Sequence, residues 1–482
     1  MTSAGRALMV CGTSSGAGKS LLATALARWY ARAGLKVAPF KAQNMSNNAR
    51  VVAGGEIGSA QYFQALAAHR EPEVRMNPVL LKPESERHSQ LILLGRRNDE
   101  IAAIDWRERG PRLWPVIRGC LEELQAENEL VVIEGAGSPA EINLRDCDLV
   151  NMRIASEAGA ATLIVADIDR GGAFAHLYGT HQLLEPAERA LVRGFVLNKF
   201  RGDPALLAPG PQMLERLTGV PTLAVLPMWR GHGLPEEDGI HAPPAAARAA
   251  ASARRRIAIL AYPFISNLDE FAPLARVPGA ELRWARDPGA LAGADLVILP
   301  GSKHVAADLA WLRATGLDAA VAAHVGAGRA LLAICGGLMM LGGEIADPLG
   351  VEGAAGGLGL LPYASAFARQ KHTQRARYRF GPLTGAWSSL GGLEFDAYEI
   401  RHGHTTAIAG PAAQGLCEAL PAGCGWQHGA TLAVYVHGLF ENAAVMRALF
   451  GADTPSLEDT LDGLADFVER GFGRARLESL IA

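Results

Sequence analysis

Three groups of residues in this chain have types and spacings that could do chemistry. The first is Gly12-Thr13-Ser-Ser-Gly16-Ala-Gly18-Lys19-Ser20. Its glycines let backbone N–H groups turn inward on an anion, Lys19 can reach terminal phosphates, and the Ser20 hydroxyl can ligate Mg²⁺. The second group is Cys335-Gly-Gly and the third is His437-Gly-Leu-Phe. A thiol within hydrogen-bond reach of an imidazole is an activated nucleophile, suited to attack on a carbonyl carbon. The amide of Gly336 and the turn at Pro300-Gly301-Ser302 offer two backbone donors of the kind a tetrahedral oxyanion needs.

These residues need elements to hold them. Arg6 to Cys11 reads as a short buried strand and Leu21 to Ala33 as a helix, so the glycine-rich stretch lies between strand and helix, where a phosphate loop belongs. Its spacing is one residue longer than usual: five residues separate Gly12 from Gly18, and Thr13 stands at the usual first-glycine position. Further strands are expected at Lys36–Phe40, Leu130–Ile133, Ala161–Val165, Val192–Leu197 and Leu223–Leu226. Near-continuous apolar strands are buried on both faces, which predicts a doubly wound α/β layer with a parallel sheet. Ligands of such sheets gather beyond the carboxyl ends of the strands, where Lys41, Gln43, Asn44, Glu134, Asp167 and Asn198 stand. Glu134 and Asp167 supply the hard oxygens that Mg²⁺ prefers, so they are candidate metal-side acids. Residues 75–95 read as a strand pair with a polar tip, either a hold for an anionic substrate or a solvated hairpin.

Between Pro235 and Arg256 the composition turns to alanine, proline and arginine, as in an interdomain linker. A second α/β pattern comes after it, with strands expected at Arg256–Ala261, Ala294–Leu299, Ala330–Ile334 and Thr431–Val436. Cys335 then falls on the turn between a buried strand and a helix, a nucleophile elbow with the thiol at a helix N-terminus. The division expected is 1–235 as a phosphate-loop domain, 236–256 as linker, 257–450 as a second, flavodoxin-like domain, and 451–482 as helices packed on that second domain. His402 and His404 have no cysteine or acidic partner at ligand spacing and read as loop histidines.

Apolar residues make up 49% and charged residues 20%, with a net charge of −3, which leaves no electrostatic footprint for nucleic acid or an anionic membrane. The six cysteines are scattered without CxxC spacing and Met1 leads almost directly into a strand, so free thiols in a reducing cytoplasm are expected. No apolar run reaches the roughly 18 to 20 residues that span a bilayer.

A cysteine that can release ammonia from a carboxamide and an ATP site that can activate a carboxylate together point to a glutamine-dependent amidoligase. Longer blocks carry a resemblance. Phe40-Lys-Ala-Gln-Asn-Met45, Val74-Arg-Met-Asn-Pro-Val-Leu-Leu-Lys-Pro83, Glu134-Gly-Ala-Gly-Ser-Pro-Ala-Glu-Ile-Asn-Leu144, Val165-Ala-Asp-Ile-Asp-Arg-Gly-Gly172 and Asn198-Lys-Phe-Arg-Gly-Asp203, with Cys335-Gly-Gly and His437-Gly-Leu-Phe, resemble the cobyric acid synthase family of cobalamin biosynthesis. The resemblance implies a dethiobiotin-synthetase-like ATP domain followed by a class I glutamine amidotransferase domain. It further implies ATP and Mg²⁺ as cofactors, with glutamine and a corrinoid carboxylic acid as substrates. Cys335 would form the glutamyl thioester, with His437 as its base. Gly12, Thr13, Gly16, Gly18, Lys19, Ser20 and Asn198 would serve ATP, Asn198 at the adenine. Ser20, Glu134 and Asp167 would stand on the metal side, and Lys41, Gln43 and Asn44 would face the corrinoid carboxylate. One departure stands out: His437-Gly438-Leu439 replaces the His-Pro-Glu usual in class I domains, which predicts a weakly oriented Cys–His dyad. A rival within the same architecture is cobyrinic acid a,c-diamide synthase. A rival of another class is a partitioning-type switch ATPase, which carries an extra lysine where Thr13, Ser14 and Ser15 stand here.

Overall fold

Short runs of aliphatic residues build the first sheet. In the computed structural model, which describes residues 5–83, 89–234, 255–451 and 456–482, they form β1 (Arg6–Gly12), β2 (Val37–Phe40), β3 (Leu130–Glu134), β4 (Ala161–Asp167), β5 (Val192–Phe200) and β6 (Thr222–Pro227). The order is β6-β5-β4-β1-β3-β2, all parallel. Side chains alternate along each strand: Met9 and Cys11 of β1 enter one core, and Leu8 and Val10 the other. Burial on both faces requires helices on both, which is the expected doubly wound build. The strand order reverses at β1, so the loop that leaves β1 for α1 (Lys19–Arg32) opens at the switch point where ligands bind.

The chain divides into two units, Met1–Asp238 with Leu457–Ala482, and Gly239–Ser456. This corrects the expectation that the C-terminal helices pack on the second domain. Leu461, Leu464, Ala465, Val468 and Phe472 repeat at helical spacing along α4 (Leu457–Phe472) and enter the same core as Leu8, Val10, Leu26 and Tyr30. Charge fixes the partner. The buried Arg28 of α1 donates to Glu458 at 2.6 Å and Asp462 at 2.8 Å, and the Trp29 indole donates to Glu469 at 2.8 Å. Amphipathic periodicity shows that a helix needs cover, but not which sheet it covers.

Most of the expected linker lies outside the described residues, and Arg255 and Arg256 already belong to β7 (Arg255–Leu260). The second sheet continues with β8 (Ala280–Ala285), β9 (Leu296–Leu299), β10 (Ala330–Ile334), β11 (Leu416–Leu420), β12 (Gly425–His428) and β13 (Thr431–Val434). Its order is β8-β7-β9-β10-β13-β12-β11, parallel as far as β13 and antiparallel beyond. The neighbours β10 and β13 run parallel, so the segments that leave their carboxyl ends emerge at one edge of the sheet. A long antiparallel hairpin, Tyr363–Arg379 with Glu394–Ala407, has no counterpart in the expected strands. In the first unit the expected strand pair is Val79–Pro83 with Ser89–Leu93, and its tip lies outside the described residues. Among the described residues, no helix is long and apolar enough to cross a membrane.

Candidate active site

The end of β10 delivers Cys335 in a backbone conformation that non-glycine residues rarely adopt, φ 51° and ψ −107°, and α3 (Gly336–Leu341) starts at the next residue. Such a residue stores about 1–3 kcal/mol of strain, held here by the sheet: the Cys335 amide donates to the Val434 carbonyl of β13 at 2.8 Å. The two glycines after it are sterically required. A Cβ at Gly336 would lie 2.7 Å from the Ser302 nitrogen, and one at Gly337 would lie 2.3 Å from the Leu299 carbonyl oxygen. The elbow therefore packs backbone to backbone on residues 299–302, and the Gly301–Ser302 strand runs beside Gly336.

That strand is pinned. Ile265–Ser266 pairs with it antiparallel, and the Ser302 hydroxyl donates to Asp308 at 2.5 Å. Burial pushes the Asp308 carboxyl up to about 7, against hydrogen bonds from Ser302 and the Phe264 amide that hold it down. The Cys335 thiol itself points to the Ile400 carbonyl, 3.8 Å away on the long hairpin.

His437 emerges just beyond β13, the neighbour of β10, and its backbone pairs with that of Tyr398 through bonds of 2.8 and 3.3 Å. The Tyr398 ring stacks on the imidazole at 5.5 Å. A Cβ at Gly301 would stand 3.0 Å from His437 Cε1, so Cys335, Gly336, Gly301 and His437, expected to converge, lie within one cluster.

A residue absent from the expected set completes this cluster. Glu270 Oε1 lies 2.9 Å from His437 Nδ1, and Glu270 Oε2 accepts from the Gly438 amide at 3.1 Å. The expectation of a weakly oriented dyad is therefore corrected. Burial alone would depress the His437 pKa, but the Glu270 charge, the Cys335 sulfur and the hydrogen bonds to both push it up to about 10. Glu270 precedes His437 by 167 positions and sits on the tight helical turn Leu268–Arg276, so no local motif points to it.

In the first unit, Gly16 and Gly18 take positive φ values of 72° and 98°, which turns the loop into the N-terminus of α1. Lys19 folds back beneath Gly12, its Nζ 3.1 Å from the Ser14 carbonyl. Thr13 anchors the loop through its amide, which donates to Val165 at 2.9 Å.

Ser20 donates to Glu134 at 2.8 Å, and the fully buried Glu134 also accepts from Lys41 at 2.9 Å and Gln64 of α2 (Ser59–Ala67) at 2.5 Å. Burial would raise the Glu134 pKa, yet Lys41 and these hydrogen bonds outweigh it and hold the carboxyl below the ordinary range. Asn44 joins the network by donating to Gln61 at 3.0 Å, and Gln43 beside it is half-buried. Lys41 thus pairs with Glu134 directly, and Asn44 reaches it through Gln61, which donates to Glu134 at 3.4 Å.

Asp167 stands on the strand at the other side of β1, 3.1 Å from Lys199 and 3.4 Å from Arg170. Lys199 also donates to the Gly16 carbonyl at 2.6 Å, a contribution missing from the expected site residues although Lys199 belongs to the block that starts at Asn198. Asn198, expected at the adenine, donates its side-chain amide to the Ala17 carbonyl at 2.9 Å and so braces the phosphate loop. Ser20 and Glu134 bring a hydroxyl and a carboxylate together beside the loop, a hard-oxygen pair of the kind Mg²⁺ takes.

A phosphate-loop α/β unit joined to an α/β unit bearing a cysteine elbow is the build of a glutamine amidotransferase that uses a nucleotide. Residues 8–231 match the CobQ/CobB/MinD/ParA nucleotide binding domain, and residues 256–445 match the CobB/CobQ-like glutamine amidotransferase domain. The cobyric acid synthase of Polaromonas sp. is 59% identical, with 99% of this chain and 98% of that protein covered. The cobyric acid synthase of Methylibium petroleiphilum is 60% identical, covering 99% of this chain and 97% of its own. The chain belongs to the cobyric acid synthase family, glutamine-hydrolysing ligases of cobalamin biosynthesis.

Proposed function

We propose that this chain amidates the b, d, e and g side-chain carboxylates of adenosylcobyrinic acid a,c-diamide, using ATP and glutamine. The observation that carries the reading is that one chain of this family keeps both sites intact: a strained Cys335 clustered with His437, and a phosphate loop joined to Glu134 and Lys41.

In the second unit, Cys335 Sγ attacks the glutamine carboxamide carbon. The thiol proton passes to His437 and from there to the leaving nitrogen, so ammonia departs and a glutamyl thioester remains. Water, deprotonated by the same imidazole, then attacks the thioester, freeing glutamate and restoring the thiol. The oxyanion of each tetrahedral intermediate lies where the Gly336 amide and the Gly301–Ser302 backbone run together.

In the first unit, the phosphate loop and Lys19 hold ATP, and Lys199 and Arg170 add positive charge beside Asp167. Ser20, Glu134 and Asp167 would hold Mg²⁺, which neutralises phosphate charge when bound. A corrinoid carboxylate attacks the terminal phosphate to give an acyl phosphate and ADP. Ammonia then displaces inorganic phosphate from the acyl carbon, leaving the amide. Mass spectrometry of products, with ATP and glutamine supplied beside each corrinoid acid in turn, tests the assignment. Conversion of the a,c-diamide at its remaining b, d, e and g carboxylates is expected. Conversion of cobyrinic acid at a and c, with the a,c-diamide untouched, would overturn it.

A further inference from the structure

The residue after His437 is Gly438, and neither Gly438 nor Leu439 can orient an imidazole through a side-chain hydrogen bond. The imidazole is nevertheless held on three sides. Glu270 lies at Nδ1, Tyr398 stacks on the ring, and the backbone is paired with that of Tyr398. Cys335 is a further titratable neighbour.

We propose that Glu270 is the positioning residue of the ammonia-releasing site, fixing the His437 tautomer and rotation from a remote turn of the chain. The proposal rests on Cys335 being the glutaminase nucleophile. The geometry favours this role over ordinary packing in two ways. First, the side chains of Glu270 and His437 are 0% and 2% exposed, and a buried carboxylate persists only where its acceptors are used. Second, the two oxygens divide the task. One accepts the Nδ1 proton, which leaves Nε2 bare to take the Cys335 proton, and the other accepts the Gly438 amide, which locks the backbone on which the ring rotates.

The carrier of Glu270 is itself fixed. Asn267, in the left-handed conformation at the start of the Leu268–Arg276 turn, donates to the Tyr398 hydroxyl at 2.8 Å. Glu270, Asn267, Tyr398 and His437 thus form a closed ring of contacts around the imidazole.

An amide in place of the carboxylate has one acceptor for two donors, so Glu270→Gln must turn its NH₂ toward either Nδ1 or the Gly438 amide. Where a triad carboxylate is made an amide, the wrong tautomer costs up to about 10⁴ in kcat. Glutamine-driven kcat of Glu270→Gln is therefore expected to fall by roughly 10²–10⁴-fold, with KM for glutamine changed by less than about threefold and ammonium-driven amidation retained.

A second readout separates positioning from folding: the rate of Cys335 alkylation by iodoacetamide. The alkylation rate at pH 7 should fall in Glu270→Gln, because an imidazole without the carboxylate at Nδ1 is a poorer acceptor for the thiol proton. Glu270→Asp, which keeps two acceptor oxygens, should recover part of both readouts.

If Glu270→Gln does not fold, ¹⁵N spectra of the wild-type imidazole decide the matter. As the imidazolium is titrated, loss of the Nε2 proton with Nδ1 still protonated supports the proposal, and loss of the Nδ1 proton first overturns it. Wild-type glutaminase kcat and an unchanged alkylation rate in Glu270→Gln would likewise overturn it. Cys335→Ala serves as the control for the underlying reading, since it must abolish glutamine-driven turnover whatever Glu270 does.

Discussion

Lys41 and Glu134 form an ion pair of 2.9 Å with side chains 5% and 1% exposed, and a double-mutant cycle on them reads the electrostatics of the nucleotide site directly. Lys41→Met keeps the aliphatic volume but leaves a carboxylate buried beside Ser20, Gln61 and Gln64 without its counter-charge. Breaking a buried pair from one side costs about 3–5 kcal/mol, roughly 6–20 °C in Tm for a unit of this size. Glu134→Gln strands the Lys41 ammonium and should cost about as much. The double variant buries no uncompensated charge, and its amide still offers Ser20 an acceptor. It should therefore cost less than the sum of the singles by about 2–3 kcal/mol.

Hydrogen exchange of β1 and β3 peptides reads the first unit alone and is the assay of choice. The Glu134 pKa is held below its unfolded value, so the pair's contribution is full above the ordinary carboxylate range and is lost as pH falls through the folded value. The coupling measured at pH 7 should accordingly shrink below about pH 4. Costs that add to within about 0.5 kcal/mol, or a coupling indifferent to acid, would refute the reasoning.

Asn198→Ala removes the 2.9 Å bond to Ala17, worth about 1 kcal/mol, and should raise KM for ATP roughly fivefold while leaving the preference for ATP over GTP unchanged. Loss of that preference would return Asn198 to the adenine. Gly301→Ala places a Cβ 2.5 Å from Ser266 Oγ and 3.0 Å from His437 Cε1. Overpacking of about 1–3 kcal/mol at this contact should lower glutaminase kcat about ten- to a hundredfold, with ammonium-driven amidation unaffected. A fully active variant would show that the Gly301 strand does not abut the working imidazole.

Both sheets were legible in the sequence because parallel strands buried on two faces announce themselves as uninterrupted aliphatic runs, as at Leu130–Ile133 and Ala330–Ile334. The elbow and the phosphate loop were legible for a second reason: each joins strand to helix through glycines that the backbone geometry demands. The hidden parts depend on contacts between segments far apart in the chain. Glu270 is one acid among many until the fold sets it against His437. The side chains of α4 state that one face is buried, but its sheet is chosen by Arg28 and Trp29, more than four hundred residues earlier. Asn198 has a polar type and a place at a strand end, which suit a base contact as well as a loop brace, and only the distance to Ala17 separates the two.

The most direct test of the account is Cys335→Ala, assayed for corrinoid amidation with glutamine and, separately, with ammonium. The prediction is that glutamine-driven amidation is abolished while ammonium-driven amidation proceeds at the wild-type rate, because in the proposed mechanism Cys335 supplies ammonia and takes no part in carboxylate activation. Loss of both activities in a folded protein, or survival of the glutamine-driven one, would contradict it.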